Sequence, residues 1–189
     1  LIWPWHDVKP DDAHFEAANL LTIAGIWRAD PDDVFFKPDQ VVTRRELAGI
    51  INQNGLVTVE DRCSADLTLR GPELVPGLAP LVDPELMILI GTGSKLFWGG
   101  IRVGWIRASE SRILALTELL KAVQLGCSVI DQMIGAELIR RTADARRERR
   151  QMLAAALPLA EQQVAEVFPE WRWDPIDGGA GLWVDTGTD

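Results

Sequence analysis

The chain has 189 residues, of which 47% are hydrophobic and 25% are charged, a balance typical of a globular domain with a buried core. Its net charge of -9 argues against direct binding to nucleic acid, because an acidic surface repels phosphates. No apolar run is long enough to span a membrane and the first residues lack a signal-peptide pattern, so we expect a cytoplasmic protein without a membrane partner.

The first clear element is a helix over residues 43–54. Residues 1–40 are rich in Pro, Asp and Trp and predict only short elements and loops. Thr43 and Glu46 then have the spacing of a capping box, and apolar residues follow at helical spacing. Gly55 supplies the C-terminal stop that is common after helices.

Three short apolar segments predict buried strands. They are Leu56 to Val59, which ends on Glu60-Asp61, then Leu86 to Ile90, and Ile101 to Ile106. A helix followed by a buried strand is the alternating order of elements typical of α/β folds, so we predict the α/β class.

The second half of the chain is predicted to be mainly helical. The helices run from Ser109 to before Gly126, from Ser128 through Leu138, and from Thr142 to Val167 with a bend near Pro158. After a loop at Gly178-Gly179, a last strand is predicted from Gly181 to Val184.

One basic run lies within these helices. Residues 140–150 contain six arginines, interrupted by Asp144 and Glu148. This composition favours a solvated helix face with ion pairs over a nucleic-acid patch. The spacing of the two cysteines, Cys63 and Cys127, predicts reduced thiols, and no metal site is predicted anywhere in the chain.

The densest chemical signal is residues 91–105, which directly follow a predicted strand. The hydroxyls of Thr92 and Ser94 and the guanidinium of Arg102 are donors of the kind that a phosphate requires. Lys95 lies among glycines that let a ligand approach, and a deprotonated lysine forms an imine with an aldehyde. The segment therefore predicts a site for an aldehyde cofactor that carries a phosphate.

Residues 91–105 resemble the Ser-x-Ser-Lys block of fold-type I pyridoxal-phosphate (PLP) enzymes. The sequence from Phe97 to Trp105 is similar to that of the aminotransferase-like domain of MocR regulators. These regulators are a branch of the GntR family that joins a winged-helix DNA-binding domain to a PLP domain. The resemblance implies the α/β aminotransferase fold, with PLP held as an imine on Lys95. It also implies phosphate contacts from Arg102, seven positions later, and from Thr92, which stands where the family usually has serine.

A second block supports this resemblance. Asp61 ends a strand 34 residues before Lys95, as does the family aspartate that pairs with the pyridinium nitrogen of the cofactor. The resemblance implies that Asp61 keeps this nitrogen protonated, so that the ring can absorb the charge left when a substrate Cα loses its proton. The similarity extends over about residues 41–187.

The sequence departs from the family pattern at several places. Cys63 stands where a tyrosine often bonds the phenolic oxygen of the cofactor, and residues 37–40 stand in place of an Asn-Pro-Thr-Gly motif. The resemblance places the ring-stacking segment and a glycine-rich phosphate loop before residue 1, and the arginine that grips the substrate carboxylate after Asp189. We therefore expect a piece of a catalytic domain with little turnover.

The resemblance implies three regions. Residues 1–40 form a poorly matched N-terminal segment, residues 41–140 form part of the large PLP-binding domain, and residues 141–189 form a linker helix and the start of the small C-terminal domain. The implied function is that of the PLP domain of a MocR/GntR-type regulator, which forms a homodimer, takes an amino acid or amine as substrate or effector, and reaches DNA only through another domain.

Several alternatives stay open. The chain could be a free-standing class I/II amino-acid aminotransferase, or a truncated relic without catalysis. Among single residues, Lys95 could be an ordinary surface lysine and Asp61 could cap the element that follows it. Arg102 could belong to a structural ion pair.

Overall fold

A computed structural model of the chain describes residues 5–26, 35–72, 74, 76–124 and 126–187. The elements are α1 (Phe15–Ile23), α2 (Arg44–Asn54), β1 (Thr58–Asp61), β2 (Met87–Thr92), β3 (Gly104–Arg107), α3 (Glu110–Val123), α4 (Val129–Ile139) and α5 (Thr142–Val167). Two short 3-10 turns, Pro84–Leu86 and Gly99–Ile101, precede β2 and β3.

The three strands form one mixed sheet in the order β1-β2-β3. β1 and β2 are parallel, with Asp61 paired to Ile90. β2 and β3 are antiparallel, with Thr92 paired to Gly104. The predicted α/β class is therefore confirmed.

Helix α2 contributes to the hydrophobic core beside the start of β2. Its capping box is present in both directions, because Thr43 Oγ1 accepts the N–H of Glu46 at 3.2 Å and the Glu46 carboxylate accepts the N–H of Thr43 at 2.8 Å. The pKa of Glu46 is lowered by the hydrogen bonds that its carboxylate accepts from the N–H and from the hydroxyl of Thr43. The helix ends at the left-handed Gly55, and its buried Ile51 packs with Met87 of β2 in the core. The predicted helix is confirmed.

The strands differ in extent from their predictions. β1 begins two residues later than predicted, at Thr58, and β2 begins at Met87 after a 3-10 turn. The predicted strand from Ile101 to Ile106 is wrong in its first half. Ile101 closes a 3-10 turn and Arg102 has a left-handed backbone with φ of 51°, which cannot continue a strand, so β3 starts only at Gly104.

The three predicted helices of the second half are confirmed. Ser109 precedes α3, and the hydroxyl of Ser128 accepts the N–H of Asp131 at 3.3 Å, which caps α4. α5 has the predicted bounds and continues through Pro158, while the bend there stays a prediction. Among the described helices, none is both long enough and apolar enough to cross a membrane.

The predicted strand from Gly181 to Val184 is wrong. In this part of the chain the described residues form only two isolated bridges, Thr68 with Gly178 and Arg172 with Asp185. These single pairings do not extend into a ladder, so no strand develops between them.

The N-terminal region has a small core of its own. Ala18 of α1 packs with Trp5 and Val8, and Phe36 lies against this group. The short helix fits the prediction for residues 1–40, of which residues 1–4 and 27–34 lie outside the described part of the chain.

Candidate functional site

The carboxyl ends of β1 and β2 carry the first predicted site residues. Asp61 is the last residue of β1 and pairs with Ile90, and β2 ends two residues later at Thr92. Ser94 and Lys95 follow directly. Because parallel neighbours, ~4.8 Å apart, present their carboxyl ends at the same sheet edge, Asp61 lies beside the segment that contains Lys95.

Arg102 reaches this edge from the opposite direction. It lies just before the antiparallel β3, whose first residue is paired with Thr92. The carbonyl of Val103 accepts the N–H of Gly93 at 2.9 Å and the hydroxyl of Thr92 at 3.2 Å. These bonds close residues 93–103 into a loop at the sheet edge. The left-handed backbone of Arg102 is uncommon for a residue with a side chain and costs about 1 kcal/mol.

Lys95 lies in a hydrogen-bonded turn within this loop. Thr92 Oγ1 accepts the N–H of Ser94 at 3.1 Å, and the N–H of Phe97 donates to the carbonyl of Gly93 at 3.0 Å. The Thr92 hydroxyl therefore shapes the turn, since its proton and one lone pair both serve the main chain. A phosphate contact from Thr92 would require this hydroxyl to rotate.

Two cationic side chains are available at the sheet edge. Lys95 and Arg102 are both exposed, and within the described residues neither side chain forms an ion pair. The alternative of a structural ion pair at Arg102 has no support there, whereas the exposure of Lys95 leaves the surface-lysine alternative open. The phosphate contact of Arg102 stays a prediction.

Asp61 forms a local hydrogen-bonded turn. Its Oδ1 accepts the N–H of Cys63 at 2.8 Å. This bond, followed by the hydrogen bond from the Cys63 side chain, lowers the pKa of Asp61 below its ordinary value of 3.8. The carboxylate is therefore ionised at neutral pH, as the partner of a protonated ring nitrogen must be. The bond to the main chain is also what the capping alternative predicts, so Asp61 has a local structural role in any case.

Cys63 connects Asp61 to Lys95 electrostatically. The hydrogen bond to the Asp61 carboxylate raises the pKa of the Cys63 thiol, as do burial and the charge of Asp61, while the charge of Lys95 opposes them. The three side chains thus share one electrostatic environment. Cysteine is a weak donor and is shorter than tyrosine, so Cys63 does not reproduce the tyrosine donor of the resembling family.

A cleft of about 500 Å³ opens beside Asp61. Its walls come from the end of β1 and the segment that follows it, within residues 60–68, and from residues 177–179; neither Lys95 nor Arg102 lines it. The volume is within the roughly 300 to 1,000 Å³ typical of small-ligand sites. Asp61 therefore lines this cleft and also ends β1 at the sheet edge, whereas Lys95 and Arg102 lie only at the exposed sheet edge.

Two residues outside the predicted set hold the site from α5. Arg149 of α5 donates to the carbonyls of Leu96 and Phe97, at 3.1 and 2.8 Å. Arg146 forms an ion pair of 2.6 Å with Asp66, in the loop after β1. The i,i+3 spacing of these arginines in the basic run was the available signal, because it places them on one helix face.

The structure resembles solved PLP-dependent enzymes. LysN, an alpha-aminoadipate aminotransferase from Thermus thermophilus complexed with N-(5'-phosphopyridoxyl)-L-leucine, superposes with a TM-score of 0.65 and 23% identity over 75% of this chain and 37% of that chain. The kynurenine aminotransferase of Pyrococcus horikoshii, in complex with PMP, superposes with a TM-score of 0.66 and 22% identity over 75% of this chain and 35% of that chain. The PLP-bound C-S lyase of Staphylococcus hominis superposes with a TM-score of 0.60 and 18% identity over 79% of this chain and 39% of that chain.

These likenesses establish the fold, which is the α/β fold of PLP-dependent aminotransferases. The chain spans 37% of LysN and 35% of the kynurenine aminotransferase, and so corresponds to part of that fold. No protein-family model matches the chain, and no curated protein matches it.

Proposed function

We propose that this chain is a PLP-binding, aminotransferase-like domain that holds its cofactor covalently on Lys95. The observation that carries the proposal is the position of the three residues at the ends of neighbouring strands, in a chain with the fold of PLP-dependent aminotransferases: Asp61 ends β1, Lys95 follows β2 and Arg102 precedes the antiparallel β3. The solved enzymes with this fold include complexes with PLP and PMP.

The donor set fits such a cofactor. A phosphate requires cations and hydroxyls, which Arg102 and Ser94 offer at an exposed loop. A protonated ring nitrogen requires a carboxylate, and Asp61 is held ionised by its hydrogen bonds. An aldehyde requires an amine without an ion-pair partner, and the described residues provide none for Lys95.

Each residue has a distinct chemical task. When bound, PLP supplies an electron sink for charge that develops on the substrate. Lys95 would hold the cofactor through a bond between its Nζ and the aldehyde carbon. Asp61 would accept a hydrogen bond from the ring nitrogen and favour its protonated form. The Nζ of Lys95 would also be the base that takes a proton from a substrate Cα.

Two biological settings are compatible with this chemistry. The first is the PLP domain of a MocR/GntR-type regulator, in which an amino acid or amine is the effector and a separate winged-helix domain binds DNA. The motif from Phe97 to Trp105 supports it, and the net charge of -9 requires that DNA binding belong to another domain. The second is a free-standing amino-acid aminotransferase, supported by the aminotransferases among the solved structures with this fold.

We further propose that the domain works as a homodimer. α3 and α4 expose large apolar side chains, including Val123 at 77%, Val129 at 69%, Ile130 at 70% and Met133 at 69%. Exposed large apolar side chains of this kind are typical of protein interfaces, and closed twofold symmetry is the commonest arrangement.

The test of cofactor binding is the attachment of PLP to Lys95. The chain is mixed with PLP, the visible spectrum is recorded, the adduct is reduced with borohydride, and the modified lysine is identified by mass spectrometry. We expect the modification on Lys95 among the four lysines of the chain.

The matched controls are two alanine variants. Lys95→Ala should abolish the absorbance band, whereas Lys121→Ala should keep it, because Lys121 is an exposed residue paired with Glu118 on α3. A band that survives in Lys95→Ala, or its absence in the unmodified chain, refutes the proposed site.

A further inference from the structure

The arginines of the basic run divide into two groups. Those at positions 140, 141 and 147 pair with acidic residues three or four positions away in sequence. Arg146, Arg149 and Arg150 instead bind segments more than fifty residues distant. The second group occupies one face of α5, and the member that contacts the lysine turn is Arg149.

Arg149 forms hydrogen bonds with the main chain immediately after Lys95. Its Nε donates to the carbonyl of Leu96 at 3.1 Å, and its Nη2 donates to the carbonyl of Phe97 at 2.8 Å. The planar guanidinium presents these two donors in a fixed fork, which a lysine ammonium cannot reproduce. Two successive carbonyls are therefore held in one orientation.

The turn is also fixed from its other side. The N–H of Phe97 donates to Gly93, and the side chain of Leu96 is 4% exposed. Lys95 thus carries a mobile four-carbon side chain on a main chain that is restrained before and after it. Because bond formation requires the reacting atoms to approach within about 3 to 3.5 Å, the orientation of this main chain limits where the Lys95 amine can reach.

We propose that Arg149 is a positioning residue for Lys95, which sets the direction of the lysine side chain by holding the carbonyls of Leu96 and Phe97. The inference rests on the proposed covalent attachment of PLP to Lys95. It assigns α5 a task in the chemistry of the site as well as its place in the fold. Arg149 acts through the turn and is distinct from the residues proposed to touch the cofactor.

The experiment separates initial binding from attachment. The rate of attachment at Lys95 is measured against PLP concentration for the unmodified chain, Arg149→Gln and Arg149→Lys. For Arg149→Gln we expect the limiting rate constant to fall about tenfold, as for the loss of charge-assisted hydrogen bonds, at an unchanged half-saturating concentration and final amplitude. Arg149→Lys keeps the charge without the fork, so we expect it to restore only part of the rate.

Arg147→Gln is the matched control, because Arg147 is an exposed arginine of the same helix that pairs with Asp144. We expect it to leave the attachment kinetics unchanged. Equal limiting rate constants in Arg149→Gln and Arg147→Gln would overturn the proposal. So would a lower final amplitude of Arg149→Gln at an unchanged rate constant, which indicates partial unfolding alone.

A measurement without PLP keeps the two proposals distinguishable. Amide hydrogen exchange of the peptide that contains residues 93–98 should be about tenfold faster in Arg149→Gln than in Arg147→Gln. The reason is that loss of the Arg149 hydrogen bonds lowers the equilibrium constant for closing the turn by about one order of magnitude. If the unmodified chain attaches no PLP, the proposed function fails, and exchange alone decides whether Arg149 holds the Lys95 turn. Equal exchange in the two variants would refute that role.

Discussion

The substitution Gly178→Ala tests how the C-terminal segment is held against the site. A β-carbon at position 178 would lie 2.6 Å from the carbonyl oxygen of Leu67 and 3.2 Å from the Cα of Thr68. Both are main-chain atoms, so no side-chain rotation relieves the overlap, and residues 177–179 must move away from the segment that follows β1.

The cost can be worked out from the bonds at this contact. The carbonyl of Asp177 accepts the N–H groups of Leu69 and Arg70 at 2.8 and 3.0 Å, and the N–H of Gly179 donates to Leu67 at 2.9 Å. At about 1 kcal/mol for each hydrogen bond, the substitution should lower the free energy of unfolding by about 2 to 3 kcal/mol. The cleft beside Asp61 should widen as well, because residues 177–179 form one of its walls.

The assay is urea denaturation followed by tryptophan fluorescence. Gly181→Ala is the matched control, because a β-carbon there meets no atom within 4 Å, and we expect its free energy of unfolding to change by less than about 0.5 kcal/mol. Equal stability of Gly178→Ala and Gly181→Ala would refute the reasoning, since the contact of residues 177–179 with residues 67–70 would then contribute nothing to the free energy of unfolding.

Two further predictions concern the thiol beside the site and the exposed helices. Asp61→Asn should lower the pKa of Cys63 towards its ordinary value of 9.0, because the carboxylate hydrogen bond and charge that raise it are lost. The raised pKa of Cys63 contributes stability that is fully present below the pKa of the unfolded chain and is lost as the pH rises through the pKa of the folded chain. The variant should therefore lose stability less steeply in alkali. The measurement is thiolate absorbance against pH in a Cys127→Ser background, and an unchanged midpoint would contradict the prediction. Sedimentation should show self-association of the chain, driven by apolar surface on α3 and α4, and a compact monomer over the whole accessible concentration range would argue against the homodimer.

The helix ends and their caps followed from the sequence alone. The bonds of the Thr43 and Glu46 capping box, and the bond from Ser128 to the N–H of Asp131, each join residues three positions apart. A short window of sequence contains both partners of such a bond, together with the apolar spacing that continues the helix. The bounds of α5 were also predicted to the residue, although this helix begins without a side-chain cap.

The order of the site residues was also present in the sequence. Lys95 and Arg102 follow β2 within ten residues, and Asp61 ends the preceding strand of the sheet. The motifs around them resemble those of PLP-dependent enzymes, and that resemblance implied the fold that the solved enzymes share. What each side chain would contribute to a cofactor stays a prediction, because that depends on contacts with a ligand.

The tertiary structure decided the features that depend on distant partners. Arg149 contacts Leu96 across 53 positions. The spacing of the basic run places Arg146 and Arg149 on one helix face, but it does not indicate which segment of the chain that face contacts. The C-terminal segment likewise pairs with residues 67–70 and forms no strand from Gly181 to Val184. A hydrogen bond between segments so far apart forms only after the chain has closed a long loop, so its existence is set by how whole elements pack and not by any local pattern.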